Sequence, residues 1–153
     1  MGRLSGPDWG LSVERIGDIM PRVAAELEEN MARNRKSAKQ AGSRFEREIV
    51  DALAKYLNDD RIERRAKCGA KDRGDIAGVR LHGKRLVLEC KNTTRTDLAG
   101  WMTEAEIECG HADALAGIVV SKRHGRGDPL DQWVHMTLRE LVALLAGHRV
   151  EDS

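Results

Sequence analysis

Residues 74–91 read GDIAGVRLHGKRLVLECK, two short β-prone runs over 76–81 and 85–91 that meet at His82-Gly83-Lys84. Successive side chains on a strand point to opposite faces, so Glu89 and Lys91 share one face while Cys90 points away with Leu86 and Leu88. Asp75 opens the first run, and the hairpin register decides whether it joins them. A three-residue loop centred on Gly83 sets Asp75 opposite Lys91 and diagonal to Glu89, on the same face. A two-residue turn at His82-Gly83 instead pairs Asp75 with Cys90, on the wrong face unless a bulge intervenes. The sequence therefore predicts the three-residue loop or a bulge.

Two carboxylates beside an ammonium group give oxygen ligands for a hard divalent cation and a positive charge near water and phosphate. Phosphodiester hydrolysis needs that combination. Ionised together, Asp75 and Glu89 repel each other, and a bound Mg²⁺ relieves the repulsion. So sparse a ligand set suits Mg²⁺, which keeps several waters and takes one or two carboxylates; Mn²⁺ is expected to substitute. Three roles stay open for Lys91: orienting water, helping to deprotonate it, or neutralising charge at phosphorus.

With 153 residues the chain can form one domain with a sizeable core, which aliphatic side chains must build because aromatics make up 3%. Lys and Arg number 26 against 25 Asp and Glu, and a net charge of +1 is no global signature of a nucleic-acid binder. The charge is unevenly placed, since residues 43–95 hold 14 basic and 9 acidic groups while residues 96–153 hold 5 and 10. Arg61, Arg64, Arg65, Lys67, Lys71 and Arg73 crowd the approach to Asp75 against Glu63 and Asp72, which favours phosphate contact over a merely solvated surface. Gly69 and Gly74 lend that loop a backbone able to approach a ligand. Lys122, Arg123 and Arg126 form a weaker second patch, with His124 read as a loop residue or phosphate contact. Cys68, Cys90 and Cys109 lack disulfide-framework spacing, and Cys109 with His111 lacks the paired motif of a zinc site. With no signal-like segment and no apolar run near the ~20 residues of a membrane span, a cytoplasmic protein without membrane contact is expected.

Upstream, Ile16, Ile19, Met20, Val23, Leu27 and Met31 recur at helical spacing. Pro21 predicts either a helix that begins near it or one bent helix. Arg33, Arg35, Lys36, Lys39 and Gly42 read as a polar, basic connector. The organisation is then an N-terminal helical extension with its connector over 1–41, a main domain over 42–148 and a tail over 149–153. The apolar stripe of the extension needs cover from the main domain, a second subunit or another protein. In the main domain a helix is expected from Ser43 to about Leu57, then a strand over 61–66 and the hairpin. Next come a helix capped by Thr94 or Thr96 and stopped at Gly110, a buried strand over 114–121 and a short strand over 133–136. A last helix opens on a Thr137–Glu140 capping box and ends at Gly147. Trp101 and Trp133 fit core positions better than base-stacking ones.

Ser43-Arg44-Phe45-Glu46-Arg47-Glu48 on the first main-domain helix, Gly74-Asp75 at a strand start and Glu89-Cys90-Lys91 on the next strand resemble the PD-(D/E)XK nuclease core. Within that superfamily they look most like archaeal-type Holliday junction resolvases and related phage proteins. The resemblance covers residues 42–121, with Gly74 where the family pattern has proline. It implies an α/β, restriction-endonuclease-like core: a mixed central β-sheet flanked by helices, here with an N-terminal helical extension. By position it implies Glu46, Asp75 and Glu89 as metal ligands, the Cys90 backbone carbonyl as a further candidate ligand, and Lys91 as the catalytic lysine.

The implied activity is Mg²⁺-dependent, structure-selective DNA cleavage in recombination or repair, with the four-way junction as first choice. Such a chain would work at the nucleoid, or in a host cytoplasm if virus-encoded. Two symmetric cuts need two active sites, so a homodimer is expected. Arg64, Arg65, Lys67, Lys71, Arg73, Lys122 and Arg123 are the candidate DNA contacts. A nicking, flap or end-directed DNase stays open, as does a DNA-binding or assembly protein that cuts nothing. Single residues keep rival readings too. Ser43 and Glu46 fit a capping box, and Glu48 competes with Glu46 as a ligand. Glu104 and Glu106 fit either an approach to the cation or a solvated helix face.

Overall fold

The computed structural model describes residues 13–66 and 73–150. Its long first helix, α1 (Val13–Leu57), includes Pro21 and runs on through residues 33–42. The expected basic connector is therefore helical, and no helix begins at Ser43. Arg, Lys, Ala and Gln dominate that stretch, all good helix formers, and no proline interrupts them. The chain divides into two units between Ala38 and Lys39. In the first unit Ile16, Ile19, Met20, Val23, Leu27 and Met31 are all exposed.

The second unit contains β1 (Glu63–Arg64), β2 (Ile76–Ala77), β3 (Arg80–Leu81), β4 (Lys84–Lys91), α2 (Leu98–Ala112), β5 (Ala116–Ser121), a 3₁₀ turn (Pro129–Asp131), β6 (Trp133–His135) and α3 (Leu138–Ala146). The strands form a mixed six-stranded sheet in the order β1-β2-β4-β5-β6, with β3 paired to β4. Only β4 and β5 run parallel, and α2 makes the crossover between them. On one face of the sheet Leu88, Ile118, Val120 and Ile76 pack with Phe45, Ile49 and Val50 of α1. On the other, Val87 packs with Cys109 and Ala112, and Val119 with Trp101 and Ala105. The alternation along β4 thus assigns Glu89 and Lys91 to the α2 face, with Val87.

Helix ends differ from the sequence expectation where a better-placed group competes. Asp97, not Thr94 or Thr96, caps α2 by accepting from the Gly100 N–H at 3.1 Å. The helix passes Gly110 and stops at Asp113, whose left-handed backbone (φ 47°) returns its N–H to Cys109 and Gly110 carbonyls. Thr137 caps α3 as expected, but Glu140 does not reach back to complete the box; its carboxylate accepts from Gly117 N–H at 3.0 Å. That anchor turns Glu140 and Ala143 inward and leaves Leu138, Leu141, Val142 and Leu145 exposed.

The hairpin resolves the register question through its bulge alternative. His82 and Gly83 both have positive φ (49° and 78°), the requirement of a two-residue I′ turn. Arg80 pairs with Arg85 and Leu81 with Lys84, which excludes the three-residue loop. Further along, Ile76 faces Leu88, one residue out of step with that pairing. The extra residue lies at Gly78-Val79, where Gly78 has φ 87° and the Val79 carbonyl accepts from Leu86 N–H at 3.0 Å. This bulge returns Asp75 to the α2 face, level with Glu89 rather than with Lys91.

A Cβ on Gly78 would stand 2.1 Å from the Arg61 carbonyl oxygen, whereas one on Gly83 meets nothing within 4 Å. Gly78→Ala is expected to cost more than about 2 kcal/mol of unfolding free energy and Gly83→Ala about 1 kcal/mol. Urea denaturation of the two variants checks this; equal losses would show that the bulge carries no special constraint.

Candidate active site

Asp75 sits where β2 begins, and two backbone bonds fix it. Its N–H donates to the Leu88 carbonyl at 3.0 Å, and its own carbonyl accepts from Arg65 N–H at 2.8 Å. Its side chain reaches to β4, where Oδ2 accepts from the Cys90 N–H at 2.9 Å. One carboxylate oxygen is thereby pinned against the main chain between Glu89 and Lys91. Glu89 is 6% exposed. Burial, a hydrogen bond with Glu108 and the nearby negative charges of Asp75 and Glu108 push its pKa up to about 9, against the lowering influence of Lys91. Lys91 Nζ lies 3.4 Å from Glu89 Oε2 and donates to Glu104 Oε2 at 2.5 Å. Burial works against the Lys91 charge, but the Glu104 hydrogen bond and the two carboxylates outweigh it and raise its pKa.

Asp75, Glu89 and Lys91 therefore converge as the sequence implied. Glu46 lies in the helix interior, which removes the capping-box reading. It receives Arg64 instead, with Nε donating to Oε2 at 2.8 Å and a terminal nitrogen at 2.6 Å. Burial raises the pKa of the Cys90 thiol, and the charges of Asp75, Glu46 and Glu89 add to it. Among the described residues, the polar contacts of Glu46 are with Arg64, not with Asp75, Glu89 or Lys91. Among the described residues, no group of three or more His, Cys, Asp or Glu side chains forms a ready cation cage. The donor chemistry nonetheless fits a hard divalent ion: Asp75 and Glu89 stand level on neighbouring strands, burial beside Glu108 keeps Glu89 from ionising without a counter-charge, and Mg²⁺ asks little more of a protein.

The expected DNA contacts have mixed placements. Arg64 is engaged by Glu46; Arg65 is half-buried, and both line a cavity of about 800 Å³ with Lys39, Gly42 and Glu46. Arg73 is exposed, and Lys67 and Lys71 lie outside the described residues. Lys122 Nζ stands 3.9 Å from Glu48 and 5.4 Å above the Phe45 ring, on the α1 side. Glu48 thus pairs with Lys122 and with Arg44. Arg123 stacks over Trp133 at 4.4 Å.

Of the α2 acids, Glu104 approaches the site through Lys91, and Glu106 is exposed. Glu108, partner of Glu89, was missed in the sequence. Its signal was its spacing: Glu104 and Glu108 are four residues apart, hence on one side of a helix. Trp133 is also misread by sequence, being 51% exposed rather than core. Comparison with family models, curated proteins and solved structures finds no match.

In the metal-free chain, Glu89 is protonated both folded and unfolded below its ordinary value of 4.5. Between there and about 9 only the unfolded state releases the proton, so this group's contribution to stability falls as pH rises. Glu89→Gln is expected to stabilise the metal-free chain by on the order of 2 kcal/mol near pH 8 and to leave it unchanged near pH 4. Calorimetric melting at both pH values in EDTA checks this; an equal shift at both would remove the buried-acid explanation.

Proposed function

We propose that this chain is a Mg²⁺-dependent, structure-selective DNA endonuclease built on a restriction-endonuclease-like, PD-(D/E)XK core, with the four-way junction as its substrate. The observation that carries the reading is the bulge at Gly78-Val79, which puts Asp75 on the face of Glu89 and Lys91. Chance alternation along a strand does not call for a distant acid to be steered there by a bulge that only glycine can form. Asp75 and Glu89 would hold the ion, with Glu46 and the Cys90 carbonyl as further candidate ligands. When bound, Mg²⁺ supplies positive charge that acidifies water and offsets the phosphodiester.

The chain's own residues account for the rest. Asp75, pinned by the Cys90 N–H, keeps one oxygen in place without side-chain reorganisation. Lys91, with its pKa raised, stays an ammonium at neutral pH, so of its three roles the cationic ones apply: orienting water and neutralising charge at the phosphate. Arg64, Arg65 and Lys39 around the large cavity give the DNA backbone a basic approach that positions without reading sequence.

Lys91→Ala, Asp75→Asn and Glu89→Gln are each expected to lower the cleavage rate of an immobile four-way junction at least about 100-fold while binding in EDTA persists. Gel assays with Mg²⁺ titration, and with flap, nicked and linear duplex as comparison substrates, measure this. Normal cutting by all three variants would remove the site assignment, and equal cutting of linear duplex would remove the junction.

Two symmetric cuts call for a homodimer. The exposed apolar side of α3, with Leu138 at 75% and Leu145 at 79%, supports it. Among the described residues no helix is long and apolar enough to cross a membrane. Leu138→Glu with Leu145→Glu is expected to convert a dimer to a monomer in sedimentation without loss of the fold, since neither side chain is buried. An unchanged mass would move the dimer contact elsewhere, with the exposed stripe of residues 16–31 next to be tested by truncation.

A further inference from the structure

Trp133 stands half in solvent at the C-terminal end of β5 and the start of β6, beside the catalytic row. Across the sheet Lys91 is level with Ser121, and Ser121 with Trp133. The three share the α2 face with Glu89, and two strand spacings of ~4.8 Å place Trp133 about 10 Å from Lys91. A cavity of about 410 Å³ opens among them and is bounded further by His124 and His135.

The polar wall is held in place. Ser121 is buried, and its Oγ lies 2.8 Å from His135 Nε2. The His135 ring packs 6.3 Å from the Trp101 ring, and His124 Nε2 ties to the Thr93 carbonyl at 3.1 Å. Arg123 sits 4.4 Å from the Trp133 ring centroid. Among the described residues no carboxylate lines this cavity; the nearest ones, Glu104 and Glu89, are paired with Lys91 at its end. Arg123 does not line the cavity; an exposed aromatic wall, hydroxyl and imidazole groups between, and an ammonium at the far end suit a flat ligand joined to an anion.

We propose that this cavity binds the nucleotide next to the cleaved phosphodiester, with its base turned out of the stack and laid on Trp133 and its phosphate toward Lys91. The phosphate end rests on the nuclease reading; the base end rests on the Trp133 wall alone. A base in uninterrupted duplex must be unpaired and unstacked to enter, at a cost of a few kcal/mol, whereas a base at a branch point or in a single strand is already released. The subsite therefore selects branched or single-stranded DNA, and Trp133 is a specificity-determining residue.

The full chain in EDTA is titrated with fluorescent twelve-residue oligothymidylate, read by anisotropy and by tryptophan quenching. Trp133→Ala is expected to weaken binding about 5- to 100-fold and to remove most of the quenching. Trp133→Phe keeps a ring and is expected to stay within about threefold of the original affinity. Junction cleavage with Mg²⁺ is scored in parallel. Metal-dependent cutting with unchanged binding by Trp133→Ala overturns the subsite and leaves the nuclease standing. Trp133-dependent binding without any cutting keeps the nucleotide site and overturns the nuclease. Neither binding nor cutting overturns both.

Discussion

In an antiparallel pair, each residue of slip turns every later side chain to the other face of the sheet. The tight turn at His82-Gly83 starts the hairpin in a register that would send Asp75 to the α1 side, among Phe45, Ile49 and Leu88. A lone carboxylate there would be buried in an apolar cluster. The extra residue at Gly78-Val79 reverses the slip before Asp75 is reached. Only glycine meets both demands at that point, a positive φ and a backbone pressed against Arg61. The candidate chemistry thus depends on one backbone irregularity, and the surrounding sheet serves to hold it.

Electrostatics supplies the second constraint. Glu89 and Glu104 flank a single ammonium, Lys91, while Asp75 and Glu108 bear on Glu89. One ammonium does not offset all of these carboxylates, and burial adds a desolvation cost to any charge on Glu89. The excess is removed at Glu89, which keeps its proton and shares a hydrogen bond with Glu108. A divalent cation would remove it differently, by displacing that proton. Lys91 responds in the opposite sense: the crowd of acids makes it a firmer cation and so a poor base. Burial and charge together therefore separate the roles of Glu89 and Lys91, although the two lie 3.4 Å apart.

Parts of the fold recorded as local pattern were legible in the sequence. The alternation of β4, the continuous apolar run of β5 and the Thr137 cap all needed only neighbouring residues to be read. What was not legible depended on competition at a distance. Residues 33–42 look like a connector by charge, yet their helix propensity carries α1 through them. Glu140 belongs to a capping box by spacing, yet its carboxylate accepts from Gly117 N–H, and Leu138, Leu141 and Leu145 of α3 are left facing out while Leu144 packs on the core. Glu108 lay hidden because its partner, Glu89, is also an acid, and a like-charge hydrogen bond is readable only once burial is known. Trp133 was assigned to the core on hydrophobicity, the usual fate of a tryptophan in a chain with so few aromatics.

The misplacement of Trp133 bears on how far the site extends. From Asp75 the polar row crosses β4 at Glu89 and Lys91, β5 at Ser121 and β6 at Trp133. Along that line the character changes from acidic to cationic to aromatic, the order in which the proposed substrate complex would present a cation, a phosphate and a base. Beneath the row α2 packs closely on β5, where a Cβ on Gly117 would stand 2.7 Å from the Ala105 carbonyl oxygen. On the proposed reading a base must leave its stack to reach Trp133, so a duplex whose bases stay stacked would be a poor substrate. Branch points offer bases already released, so the proposed subsite and the proposed junction substrate make the same demand.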